Sequence, residues 1–96
     1  MKKTNQYHLR LQQIHTLKDD LKTDTPIEIE FENHDEIFSI INRIKDKNLF
    51  NNDQQSVEFA IGLKLFTEVM LKNRDNELFS ELAPEIKKFM EKLKKR

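Results

Sequence analysis

The feature that most constrains this chain is a change of hydrophobic period at Asn33. Before it, apolar and polar residues alternate: Tyr7, Leu9 and Leu11, then Ile27, Ile29 and Phe31. After it, apolar residues recur three and four apart, from Ile37, Ile40, Ile41 and Ile44 through to Leu93. A period of two turns one face of a strand toward a core, whereas a period near 3.6 turns one stripe of a helix there. The chain is therefore expected to be α+β, a two-stranded antiparallel β-hairpin followed by three α-helices.

The first strand is expected over residues 6–14, ending or bulging near Gln13, where Ile14 breaks the alternation. The second is expected over residues 27–32. Pro26 has no amide to donate and suits the start of that strand. Antiparallel pairing would set His8 and Arg10 opposite the row Glu28, Glu30 and Glu32, a favourable cross-strand arrangement. Residues 16–25 are too long for a tight turn and polar enough to be mobile.

The first helix is expected to start at Asn33 with a capping box to Glu36. Lys45 and Lys47 suit its last turn, and Asn48 suits a left-handed stop. The second is expected from Asn52, capped with Gln55, to about Lys72. It carries two apolar stripes. Phe59, Gly62, Leu63, Phe66, Val69 and Met70 form the broad one; Val57, Ile61 and Leu65 form a narrow one among charges. A helix apolar on two sides is central in its domain or lies at a subunit contact. Gly62, the only glycine, lies on the broad face, which implies that another backbone passes close to it. After a turn at residues 73–76, Leu78, Phe79, Leu82, Ile86, Phe89, Met90 and Leu93 stay in phase across Pro84. Pro84 falls on the opposite, solvent side, so a single third helix kinked at Pro84 is expected. The resulting ββααα arrangement forms one domain over residues 1–96, since neither half is long enough for its own core.

Lys plus Arg number seventeen, as do Asp plus Glu, so no global field selects nucleic acid or an anionic membrane. The chain has no cysteine, hence no disulfide or thiolate chemistry, in keeping with a cytoplasmic setting. The polar stretch after Met1-Lys2-Lys3 does not read as a signal peptide, and no apolar run is long enough to span a membrane.

The motifs of catalysis are missing. His8 and His15 are an odd number of residues apart and face opposite ways in a strand, while His34 stands at a helix start. No helix carries the histidine or glutamate spacing of a zinc or di-iron site. Glu28, Glu30 and Glu32 are roughly 7 Å apart along a strand, too far for one small cation without further ligands. No phosphate-cradling loop or nucleophile elbow is present. No catalytic, cofactor-binding or metal-binding residue is assigned, and no cofactor is expected. The basic residues Lys87, Lys88, Lys92, Lys94, Lys95 and Arg96 are the candidates for a phosphate contact. Asp75, Glu77, Glu81 and Glu85 precede them on the same helix, so the run also complements the helix dipole.

The segments Asn33-His34-Asp35-Glu36-Ile37-Phe38, Lys47-Asn48-Leu49-Phe50, Gly62-Leu63-Lys64-Leu65-Phe66 and Glu68-Val69-Met70-Leu71-Lys72-Asn73-Arg74 resemble a family of small bacterial proteins known as a domain of unknown function. The resemblance spans nearly the whole chain and is strongest over residues 33–74. It implies the hairpin-then-helices fold and a bacterial, cytoplasmic setting, and it carries no functional residue across.

Function is expected to lie in surfaces. The leading reading is a small interaction module that self-associates as a homodimer. Its candidate interface is the narrow stripe Val57, Ile61 and Leu65, or the edge of strand one at Arg10 and Gln12. The second reading is a nucleic-acid-associated accessory protein using the basic C-terminus. The third is an enzyme or small-ligand binder with a pocket between hairpin and helices.

Overall fold

Leu11 stands opposite Ile27, Leu9 opposite Ile29 and Tyr7 opposite Phe31, so three apolar pairs line one face of an antiparallel hairpin. Its strands are β1 (Asn5–Leu11) and β2 (Ile27–Asn33), followed by α1 (Ile37–Lys47), α2 (Asp53–Lys72), α3 (Glu77–Ser80) and α4 (Leu82–Lys94). This computed structural model describes residues 3–17 and 24–96, and much of the loop expected over residues 16–25 lies outside them. The fold is α+β, with four helices rather than three. Contacts cluster in two compact units, Met1–Asp35 and Glu36–Arg96.

In the hairpin unit the alternation works as the sequence requires. The rings of Tyr7 and Phe31 stack at 5.4 Å on the apolar face. The Tyr7 hydroxyl donates to the Asp35 carbonyl at 3.3 Å, and Asn5 Nδ2 donates to the carbonyls of Asn33 and His34. Toward the loop end that face opens, and Leu11, Ile27 and Ile29 are exposed. β1 ends at Leu11, three residues before the expected end at residue 14. The register explains the difference: the next pair would use Pro26, which has no N–H for the ladder.

Asn33 is not the cap of α1. It closes β2 opposite Asn5, is buried, and its Oδ1 accepts the Asp35 amide at 2.9 Å. Glu36 caps the helix instead, its Oε2 accepting from the Phe38 amide at 2.8 Å and its Oε1 from the Ser39 hydroxyl at 3.3 Å. The Asn33 side chain is engaged by the Asp35 amide and α1 starts only at Ile37, so Glu36 is the residue placed to cap it. The other end follows the sequence: Asn48 adopts the left-handed conformation, φ 49 and ψ 44, and stops the helix.

In the helical unit, Ile37, Ile41 and Ile44 form the buried stripe of α1, which packs against α2. The side of α2 that carries Ser56 and Ala60 is buried, as is Met70 near its end. Asn52 caps α2 as the sequence indicates, its Oδ1 accepting the Gln55 amide at 3.0 Å. Ser56 satisfies its buried hydroxyl on the Asn52 carbonyl, and Thr67 does so on the Leu63 carbonyl.

The single kinked third helix is not what forms. Asn76 caps the short α3 through the Leu78 amide, α3 ends at Ser80, and α4 begins at Leu82. Pro84 lies in the first turn of α4. It has no N–H to reach the Ser80 carbonyl four residues back, so the ladder breaks ahead of it, at Glu81. Glu81 itself keeps right-handed helical dihedrals, φ −82 and ψ −29.

Candidate functional site

On the polar face of the hairpin, the pairs Gln6–Glu32, His8–Glu30 and Arg10–Glu28 sit opposite one another, as expected from the alternation. His8 Nε2 is 2.9 Å from Glu28 Oε1 and its Nδ1 is 3.9 Å from Glu30 Oε1. Arg10 Nη1 lies 3.7 Å from Glu28 Oε2, and Gln6 Nε2 donates to Glu32 Oε1 at 3.3 Å. These groups are about half exposed or more, where such pairs are screened and contribute little to stability. Their arrangement is that of a solvated sheet face. Among the described residues, no three His, Asp or Glu side chains converge as metal ligands. Gln12 lies beyond the end of β1 and is exposed.

The helical unit is built differently. Five residues, 48–52, join α1 to α2, and two of them, Asn48 and Asn51, hold positive φ. Asparagine tolerates that conformation better than other side-chain-bearing residues because its short amide bonds locally. The turn sets Phe50 edge-on to Phe59 of α2 at 5.2 Å. Phe59 in turn meets Phe89 of α4, and Phe66 meets Phe79 of α3, both at 6.2 Å and edge-to-face. Phe50, Gln55, Glu58 and Phe59 line an open cleft of about 420 Å³. It offers apolar walls and one carboxylate but no nucleophile and no pair of groups placed for proton transfer.

Exposure on α2 differs from what the two stripes suggested. Val57, Ile61 and Leu65, the candidate interface, are half-buried. Phe66 and Val69, assigned by spacing to the broad inward face, are exposed. Gly62 is exposed too, and a Cβ built on it would meet nothing within 4 Å beyond its own turn of helix, so among the described residues no backbone crosses there. Spacing alone ranks Gly62 as crowded because it shares a side with Phe59 and Phe66; those rings reach across to α3 and α4 and leave the space above Gly62 open. Gly62→Ala should therefore stabilise the protomer by about 1 kcal/mol through helix propensity, read as a raised melting temperature at dilute concentration.

Lys87, Lys88, Lys92, Lys94, Lys95 and Arg96 are all exposed on or just beyond α4. Lys88 lies 3.4 Å from Glu85, and Lys47 Nζ donates to the Arg96 main-chain oxygen at 2.8 Å. The run is thus tied partly to its own helix and to α1. Among the described residues no helix is long and apolar enough to cross a membrane.

A domain family described as a domain of unknown function with a solved structure, DUF3861, matches residues 5–95. The chain belongs to this family. A crystal structure of a protein of unknown function from Pectobacterium atrosepticum is similar, with a TM-score of 0.83 and 29% sequence identity. The similarity covers 97% of this chain and 99% of that one. The family resemblance seen in the sequence is thereby established, with a bacterial protein as the structural neighbour. No curated protein matches the chain.

The residues that sequence reasoning missed in this family member are the exposed apolar ones. Phe66, Val69, Leu78, Leu82 and Phe89 all follow helical spacing, and spacing reads them as core. The available signal was the surplus: α2 carries apolar residues around most of its circumference, more than neighbouring helices of one short chain can cover.

Proposed function

We propose that this protein is a small interaction module that acts through its surface and self-associates. The observation that supports this is the state of α3 and α4. Neither contains a buried residue, although their apolar residues follow one stripe from Leu78 to Leu93. A helix of thirteen residues is marginal in water on its own and draws most of its stability from the covering of an apolar face. Here the protomer covers that face only in part, and Leu78, Leu82 and Phe89 stay open to solvent. A partner that covers them supplies the missing packing.

Light scattering on the purified chain tests the reading. From low to high micromolar concentration the mass should rise toward twice the 11.6 kDa of one chain. A protein that stays monomeric across that range overturns it.

A further inference from the structure

We infer that a second copy of this chain packs on one particular face of the helical unit, with Gly62 at the point of closest approach. The inference rests on the self-association proposed above and adds where it occurs. The contacts Phe59–Phe89 and Phe66–Phe79 run in opposite orders, so α2 lies antiparallel to α3 and α4. They also define which line of α2 looks at its neighbour. At 100° per residue, Gly62 and Val69 stand roughly 60° to one side of that line, and the buried Ser56 and Ala60 stand to the other. On α3 and α4, Leu78, Leu82 and Phe89 are displaced to one side of the half-buried Phe79, Ile86, Met90 and Leu93. Because the two helical segments are antiparallel, both displaced sets emerge on the same side of the seam, away from the buried Ser56 and Ala60. One face thus collects Gly62, Val69, Leu78, Leu82 and Phe89, with the part-exposed Phe66 at the seam itself.

The size of this face argues for a chain-sized partner. Its five large side chains are between 37% and 76% exposed. With side chains of this size presenting on the order of 150–200 Å² each, that leaves roughly 450 Å² of apolar surface per copy, at the level of patches that are functional on monomers. Two such faces bury about 900 Å² of apolar area. That is the apolar share of an interface of about 1,500 Å², the size of a stable association. The six residues of the face are uncharged, and the carboxylates of Glu58 and Glu85 stand at its borders, about 40° of helix rotation from Gly62 and Phe89, with Lys88 3.4 Å from Glu85. A two-fold axis through the face sets one Gly62 notch, open for 4 Å around, against the other, and lets two helices approach without side chains between them. The narrow stripe Val57, Ile61 and Leu65 is half-buried and lies on a different side of α2.

Sedimentation equilibrium on the full chain separates the possibilities, with circular dichroism confirming that each variant is folded. The double variant Val69→Glu, Leu82→Glu alters only exposed side chains and should dissociate the dimer, weakening association at least a hundredfold. Gly62→Leu, which fills the notch, should weaken it at least tenfold with helical content unchanged. Leu11→Lys with Ile27→Lys, at the open end of the hairpin, should leave association as in the wild type. If the hairpin pair dissociates the dimer and the helical variants do not, this face is the wrong one although self-association stands. If the helical variants associate like the wild type, the inference fails by that result alone. A monomeric wild type removes self-association itself, and this inference with it.

Discussion

Replacing Ile44 by alanine should lower the stability of the fold by about 3 kcal/mol, the middle of the range for deleting a buried branched side chain. Ile44 is 3% exposed and ends the buried stripe Ile37, Ile41 and Ile44 by which α1 packs on α2. The loss combines the transfer free energy of the missing carbons with the void they leave, which a packed interior closes only in part. For a chain of this length the melting temperature should fall by roughly 15 °C. The comparison belongs at one fixed protein concentration, because self-association stabilises the folded chain by mass action. Phe38, next to Ile37 and largely exposed, provides the control: Phe38→Ala should change the melting temperature little. Equal effects from the two substitutions would mean that the stripe of α1 is not the core.

Ala60→Leu should destabilise by roughly 2 kcal/mol, although leucine is as good a helix former to within a few tenths. Ala60 has no exposed surface and lies on the side of α2 that is buried with Ser56. Three further carbons have no room there unless the packing around α2 opens. The result is to be read beside Gly62→Ala, two residues along, where an added Cβ meets nothing and the protomer should gain stability. Urea denaturation of both variants checks the pair. Opposite signs at Ala60 and Gly62 are the signature of a helix covered on one side and open on the other. A stabilised Ala60→Leu would show that the space around Ala60 is not filled.

The contrast between these two small residues shows why the candidate surface was harder to read than the fold. Local chemistry carried the hairpin: the alternation at Tyr7, Leu9 and Leu11 against Ile27, Ile29 and Phe31 admits one antiparallel register that pairs all six with one another on one face, and that register forms. Local chemistry also carried the caps at Asn48 and Asn52, where a side chain and its own nearby backbone suffice. It misplaced the start of α1, because Asn33 is drawn into the ladder opposite Asn5 and Glu36 takes over as cap. Pro84 was assigned to the correct side of its helix but to the wrong consequence, a kink where the hydrogen-bond ladder instead breaks ahead of it.

Period, pairing and capping are properties of neighbours in the chain, and the residues alone therefore settled the α+β class, the antiparallel hairpin and the extent of α2. Which side of α2 is covered is not such a property. With Val57, Ile61 and Leu65 on one side and Phe59, Phe66 and Val69 on another, the hydrophobic free energy of α2 changes little as the helix rotates about its axis. Packing broke that tie. The side of Ser56 and Ala60 is buried, the rings of Phe79 and Phe89 meet Phe66 and Phe59, and Gly62 and Val69 are left open.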